Sequence, residues 1–322
     1  MTQALLPPLE DAWADFARSR SRKGRSVHTL NIYRKSYEQF WRWAETEGLL
    51  PDPGAITHRH VNAWTSAMLA APLVRNGNVM FDVDPGTGER IPRPIQPNTV
   101  RIRWQNLRPF FSWWAEEMEE PNPFDKAYTP RLEERPVPVV ALDDVRAMLH
   151  ACAGADFEAR RDTAIIRFLI DTGARVGELV GMTLDSWDRR QDLVTLTGKT
   201  GTRILPISLS TGEALARYMR VRQRQPHAAS KALWIGARGR LSDSGVAQML
   251  NRRADQAEVP RLHPHVFRHS WAHELKRAGA SEGDLMALGG WTTSTMVHRY
   301  GKSAAVARAH ETGRRIALGD RL

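Results

Sequence analysis

His265-Val266-Phe267-Arg268-His269, followed by Trp291 and then Tyr300 nine positions further on, is the stretch around which this chain is organised. His265 and Arg268 stand three residues apart, which puts both on one face of a helix. An imidazole, a guanidinium, an indole N–H and a phenol within one short region are the groups that phosphate chemistry uses. Upstream, Thr172-Gly173-Ala174-Arg175-Val176-Gly177-Glu178-Leu179 supplies a second arginine. Gly173 can end one helix and Arg175 then starts the next, where a guanidinium forks onto two phosphate oxygens and the helix start adds a positive field. Glu178 can hold that guanidinium in place, or the two can form an ordinary surface pair.

Asp192–Ile207 alternates strand formers around a glycine-flanked turn, so it reads as a β-hairpin with Lys199 near its tip; Leu233–Gly236 is expected to add a third short strand. His263, His265, His269 and His273 raise the question of a metal, because the last three, at four-residue steps, could line one helix face. No Cys, Asp or Glu at a ligand spacing completes such a set, so no metal is expected. The better arrangement turns His265 and Arg268 toward phosphate and leaves His269 or His273 to pack within the fold.

Composition bounds the partner. The chain has 322 residues, 42% of them hydrophobic, with eleven tryptophans, enough for two cores. The net charge of +10 and a pI near 10.2 favour a polyanion, whether RNA, DNA or an acidic membrane surface. Residues 137–322 carry 28 basic and 19 acidic side chains and so supply +9 of that charge. A single cysteine, Cys152, excludes a disulfide framework and fits a reducing compartment. No apolar run is long enough for a membrane span and the first residues lack a signal peptide's pattern, so the expected location is the cytoplasm, without membrane association.

Working toward the N-terminus, residues 138–322 form the unit that carries the chemistry, and 121–137 form a proline-rich linker. Residues 26–120 read as a helical bundle. Its helices are expected at about 29–47, with Ser26 or Thr29 as cap, at Thr57–Ala71, and at about Asn98–Glu117. The tryptophan and phenylalanine stripes of these helices are expected to be core, whereas Arg34, Lys35, Arg42, Arg101, Arg103 and Arg108 interleave with them and offer a face that can track a DNA backbone. Residues 76–96 are a turn-rich insertion, either a hairpin or a loop. Residues 1–25 end in a basic run that includes Arg22, Lys23 and Arg25; they hold too little apolar content for a core helix and are expected either to order on phosphate or to be a solvated charged tail.

Together, Thr-Gly-x-Arg-x-x-Glu-Leu at 172–179, Lys199, His-x-x-Arg-His at 265–269 and the Trp291–Tyr300 pair resemble the signature of the tyrosine recombinase, or phage integrase, family across most of the chain. The resemblance implies a mainly α fold with a small β-sheet: an N-terminal helical core-binding bundle on DNA, and a C-terminal mixed α/β catalytic domain of the DNA breaking-rejoining type. It implies site-specific cutting and rejoining of double-stranded DNA through a 3′-phosphotyrosyl intermediate, without cofactor, metal or ATP. By matching position, Tyr300 is the nucleophile, Arg175 and Arg268 bind the phosphate, His265 assists as base, Lys199 protonates the leaving hydroxyl and Glu178 supports Arg175. Trp291 is the less common variant of a position that is His or Trp, and it can donate an indole N–H but not transfer a proton. The resemblance further implies four protomers on two DNA sites, with 303–317 as a helix that docks on a neighbour or packs on its own unit, a two-domain Xer-like layout, and a possible accessory or second recombinase protein. Three alternatives stay open: a type IB topoisomerase-like relaxase, a non-catalytic DNA-binding regulator, and phosphoryl hydrolysis through a histidine-bound metal.

Overall fold

The computed structural model describes residues 7–75, 77–131, 138–294, 314 and 317; Tyr300 and almost all of 303–317 therefore lie outside the described residues. The chain divides into two units, Met1–Glu134 and Arg135–Leu322, each with its own core.

In the first unit the described helices are α1 (Pro7–Arg22), α2 (Val27–Thr46), α3 (His58–Ala70) and α4 (Pro97–Met118). α2 forms where Tyr37, Phe40, Trp41 and Ala44 recur at helical spacing and are buried, and Ser26 caps it by accepting the Thr29 N–H at 3.3 Å. α4 lays Val100, Trp104, Leu107, Phe110 and Phe111 against the same core. The rings meet edge-on, with Phe40 5.3 Å from Trp64 and 5.6 Å from Phe111 between centroids, so the aromatic stripe is packing rather than a base-stacking platform.

The N-terminal basic segment is not the phosphate-ordered arm that its charge suggests. Leu9, Ala12, Trp13 and Phe16 make an apolar stripe on α1 that is buried in the bundle core, and the Tyr37 hydroxyl donates to the Leu9 carbonyl at 2.7 Å. Four apolar residues at helical spacing outweigh the basic run that follows them. Likewise, the first half of the 121–137 linker is packed: Phe124 lies 4.9 Å from Trp104 and 5.6 Å from Phe111, and the Tyr128 N–H donates to Asn62 Oδ1 at 2.8 Å. The 76–96 insertion is built from hairpins. β1 (Val74–Arg75) pairs with β2 (Asn78–Val79), and β3 (Phe81–Val83) pairs with β4 (Arg90–Pro92), whose turn Asp84 closes by accepting the Gly86 and Thr87 N–H groups.

The second unit contains α5 (Leu142–Ala151), α6 (Phe157–Thr172), α7 (Val176–Gly181), β5 (Trp187–Asp188), β6 (Leu193–Gly198), β7 (Gly201–Pro206), α8 (Leu209–Arg222), β8 (Ile235–Gly236), β9 (Gly239–Arg240), α9 (Asp243–Gln256), α10 (Pro264–Arg277) and α11 (Glu282–Gly289). α6 is its axis: Ala164, Ile165, Ile166, Phe168 and Leu169 are all buried, and α8 and α10 pack on it. A helix buried on so many sides, with Arg161, Asp162 and Thr172 buried as well, has to be enclosed by other elements. Asp162 of α6 is fully buried and is neutralised by Arg161 at 2.7 Å and Arg253 at 2.9 Å, which locks α9 to α6. β6 and β7 form the expected hairpin, but the third strand is β5, in the order β5-β6-β7. Ile235–Gly236 turns back on Gly239–Arg240 instead, because the sharp bend at Gly239 (φ +99°) closes its own ladder. Among the described residues no helix is long and apolar enough to cross a membrane.

Candidate active site

Gly173 ends α6 in the left-handed conformation (φ +58°), and two residues later Arg175 is the N-cap of α7. A Cβ at position 173 would also sit 2.5 Å from the Trp271 ring, so glycine is required twice over. α7 has only six residues, so its start adds little field, contrary to expectation; the Arg175 guanidinium itself carries the charge. Glu178 is 3% exposed and accepts from the Arg175 backbone N–H at 2.9 Å and from Arg175 Nη1 at 2.7 Å. With its carboxylate buried and its guanidinium partly exposed, the pair is a brace within the fold, not a surface ion pair.

Arg203, on β7, closes that brace and was not anticipated. Its two terminal nitrogens donate to the two Glu178 oxygens, both at 2.8 Å, and its Nε donates to the Leu288 carbonyl at 2.8 Å. Burial pushes the Glu178 carboxyl up, but the hydrogen bonds from Arg203 and from the Arg175 backbone and side chain outweigh it and hold the group down at about 2. The signal lay in the hairpin register. Arg203 stands opposite Leu196, on the face that buries Val194, Leu196 and Leu205, and a cation on a buried face needs a buried partner.

Lys199 is exposed in the turn between β6 and β7. Its neighbour Thr200 donates to the Gly290 carbonyl at 3.2 Å and accepts from Arg175 Nη1 at 3.4 Å. Arg175 Nη2 reaches the same carbonyl at 3.4 Å.

α10 begins with His263 as N-cap and Pro264 at its first position, a proline that fits there because the first turn has no use for its missing N–H. Arg268 does not face outward beside His265: it is 3% exposed, with Nη1 donating to Gly173 O at 2.8 Å and Nη2 to Gly289 O at 2.5 Å. Those carbonyls end α6 and α11, where a cation meets the negative ends of two helices. Its guanidinium also lies 4.5 Å over the Trp291 ring. Trp291 is 5% exposed and packs 6.1 Å from Trp271. Arg175 and Arg268 thus converge on adjacent carbonyls, Gly290 and Gly289, immediately before Trp291.

His265 keeps an exposed edge, and its ring stacks between those of His263 and His269 at 5.7 and 6.4 Å. Partial burial, then the positive charge of His263, Arg268 and Arg175, lowers its pKa and favours the neutral imidazole. His269 and His273 are half-buried on the same helix, and among the described residues no three His, Cys, Asp or Glu side chains gather as a metal site. Tyr300 lies outside the described residues.

The cations proposed for DNA contact divide into separate groups. Lys35 and Arg103 line a groove between α2 and α4 together with Arg42 and the exposed Ile32 and Ile102, and Arg101 lies half-exposed on the same helix. Arg22 and Lys23 border a different groove, between α1 and α4, shared with Asp15 and Glu117, and Arg25 is exposed beyond it. Arg34 is not an outward cation at all. It pairs with Glu10 and, at 2.6 Å, with Glu38, and lies 5.2 Å over the Trp13 ring, so its charge is used to fasten α1 to α2.

A family model for the phage integrase family matches residues 138–306. The tyrosine recombinase XerC of Syntrophus aciditrophicus is 28% identical over 286 residues, which span 85% of this chain and 87% of that protein. Among solved structures, the Tn1549 transposon integrase in complex with transposon right end DNA aligns with a TM-score of 0.68 at 17% identity, covering 95% of this chain and 99% of that one. A lambda integrase dimer bound to a core site aligns with a TM-score of 0.64 at 16% identity over 90% and 94% of the two chains. At those identities the two structures establish a shared fold.

Proposed function

Because the chain belongs to the phage integrase family, and with it to the tyrosine recombinases that cut and rejoin DNA, we propose that Arg175, Lys199, His265, Arg268, Trp291 and Tyr300 are the catalytic set that performs site-specific recombination here. The observation that carries this reading is the convergence of Arg175 and Arg268 on Gly290 and Gly289, beside Trp291 and within the electrostatic reach of His265. Two guanidiniums and an indole gathered in one place are the groups that can hold the non-bridging oxygens of a single phosphate as charge builds on them.

In the reaction the Tyr300 hydroxyl oxygen attacks phosphorus and the bond from phosphorus to the 5′ oxygen breaks. His265, kept neutral by its surroundings, takes the tyrosine proton, and Lys199 gives a proton to the departing 5′ oxygen; each transfer is worth about 10²–10⁴-fold. The 3′-phosphotyrosyl bond conserves the energy of the phosphodiester, so a second 5′-hydroxyl can reverse the steps and join a new strand without ATP. Double-stranded DNA is held along the α2–α4 groove through Lys35, Arg42 and Arg103, with Arg101 beside it. Four protomers act on two sites in the cytoplasm, with 303–317 as the exchanged segment and with room for an accessory or second recombinase.

The test places two copies of a DNA site, selected from randomised duplexes by binding to the protein, on one supercoiled plasmid in the presence of chelator. Recombinant circles with exchanged junctions support the proposal. Relaxation without exchange points to a topoisomerase-like relaxase, and binding that leaves the plasmid unchanged points to a regulator.

A further inference from the structure

Arg203 is outside the catalytic set, yet it joins three of the segments that carry it. Four residues after Lys199, its fork grips both oxygens of Glu178, while its Nε holds the Leu288 carbonyl three residues before Trp291. Both neighbours of Lys199 are seated by the same construction. Thr200 is tied to Gly290 and Arg175, and Gly198 makes room for Glu178, whose Oε1 lies 2.8 Å from where a Cβ would be. The backbone on each side of Lys199 is held, and the lysine side chain is exposed.

We infer that Arg203 is a positioning residue: its planar grip on Glu178 and Leu288 seats the β6–β7 hairpin so that Lys199 delivers its proton to the leaving 5′ oxygen. The inference rests on the reading of Lys199 as general acid. A lysine at 203 would keep the charge but, as a point donor on a flexible stem, could not span two carboxylate oxygens and a carbonyl at once. Proton delivery depends on placing the donor within hydrogen-bond reach, so a hairpin that rocks loses this step before it loses phosphate binding.

The experiment compares Arg203→Lys with wild type on two nicked suicide duplexes, one ordinary and one with sulfur in place of the bridging 5′ oxygen. On the first, the bond between Tyr300 oxygen and phosphorus forms, the bond to the 5′ oxygen breaks, and the departing alkoxide needs the Lys199 proton. On the second, the phosphorus–sulfur bond breaks and the thiolate, a far weaker base, leaves without one. Arg203→Lys is expected to slow cleavage of the oxygen duplex by about 10²-fold, the scale of a general acid's contribution, and to cleave the sulfur duplex at close to the wild-type rate. Lys199→Ala is expected to show the same selective loss. Thr200→Val removes an exposed tether and leaves the grip on Glu178 intact; a smaller loss confined to the oxygen duplex is expected, and it carries the test should Arg203→Lys fail to fold by circular dichroism. Equal losses on both duplexes, or a Thr200→Val protein indistinguishable from wild type on both, would overturn the inference. A wild-type protein that forms no adduct with either duplex would instead overturn the recombinase reading beneath it.

Discussion

Replacing Glu178 with glutamine removes one negative charge from between two guanidiniums with little change of shape, and its cost can be worked from the structure. The carboxylate is buried and accepts hydrogen bonds from the Arg175 backbone, from Arg175 Nη1 and from both terminal nitrogens of Arg203. Its pKa is held at about 2 against an ordinary 4.5. That difference corresponds to about 3 kcal/mol of preference for the charged form. Arg175 is 29% exposed, so screening on that side reduces the figure to about 2 kcal/mol. Glutamine also turns an N–H group toward at least one guanidinium, leaving donors facing donors, at about 1–3 kcal/mol. The expected loss at neutral pH is about 3–5 kcal/mol, which lowers the unfolding midpoint of a unit this size by roughly 6–20 °C.

The sign of the pH dependence follows from the direction of the shift. The folded-state pKa lies below the unfolded one, so the carboxylate's contribution is complete above about pH 4.5 and is lost as the pH falls toward 2. Thermal unfolding of wild type and Glu178→Gln between neutral pH and pH 2.5 should therefore give curves that are well separated at the neutral end and converge in acid. Equal midpoints at neutral pH, or a separation that persists unchanged into acid, would refute this account of Glu178.

Arg103 offers the opposite balance. Burial lowers its pKa and Nη1 is buried without a hydrogen-bond partner among the described residues, so Arg103→Met should leave the helical unit as stable or about 1 kcal/mol more stable, while weakening DNA binding and reducing its salt slope by about one; lost stability with unchanged affinity contradicts this. Gly198→Ala drives a Cβ to 2.8 Å from a carboxylate that cannot yield and should lose about 1–3 kcal/mol, whereas Gly177→Ala, with nothing within 4 Å, should not; matching thermal midpoints would count against the brace. For His265, partial burial and its cationic neighbours keep the ring neutral below the ordinary value of 6.5, so the acid limb of single-turnover cleavage should fall below pH 6.5 and vanish in His265→Ala. A limb centred at or above 6.5 would remove the imidazole from the role of base.

How far the sequence alone reaches is set by whether local chemistry or long-range packing decides a residue's fate. α2, α3 and α4 announce themselves through apolar residues at helical spacing, and the break between α6 and α7 is legible because few residues other than glycine tolerate the backbone at 173. α1 was obscured by counting arginines: Leu9, Ala12, Trp13 and Phe16 form its buried stripe, and charge at one end of a helix does not cancel an apolar face. Arg34 looked available because its pairing with Glu10 depends on how α1 lies against α2, which spacing within α2 cannot show. Arg203 is hidden for a similar reason, although a two-residue turn at Lys199-Thr200 sets it opposite Leu196. The histidine row was legible as residues but not as roles; only the fold brings His265 within reach of the charge of both arginines.

The central claim is that Tyr300 becomes covalently joined to a 3′ phosphate. The most direct measurement incubates wild type and Tyr300→Phe, in chelator, with a suicide duplex nicked beside the scissile phosphate so that the short 5′-hydroxyl fragment diffuses away and the adduct accumulates. The account predicts a protein–DNA adduct with wild type alone, its DNA attached to the peptide that contains residue 300. An adduct that persists with Tyr300→Phe, or none with wild type under conditions of tight binding, would contradict it.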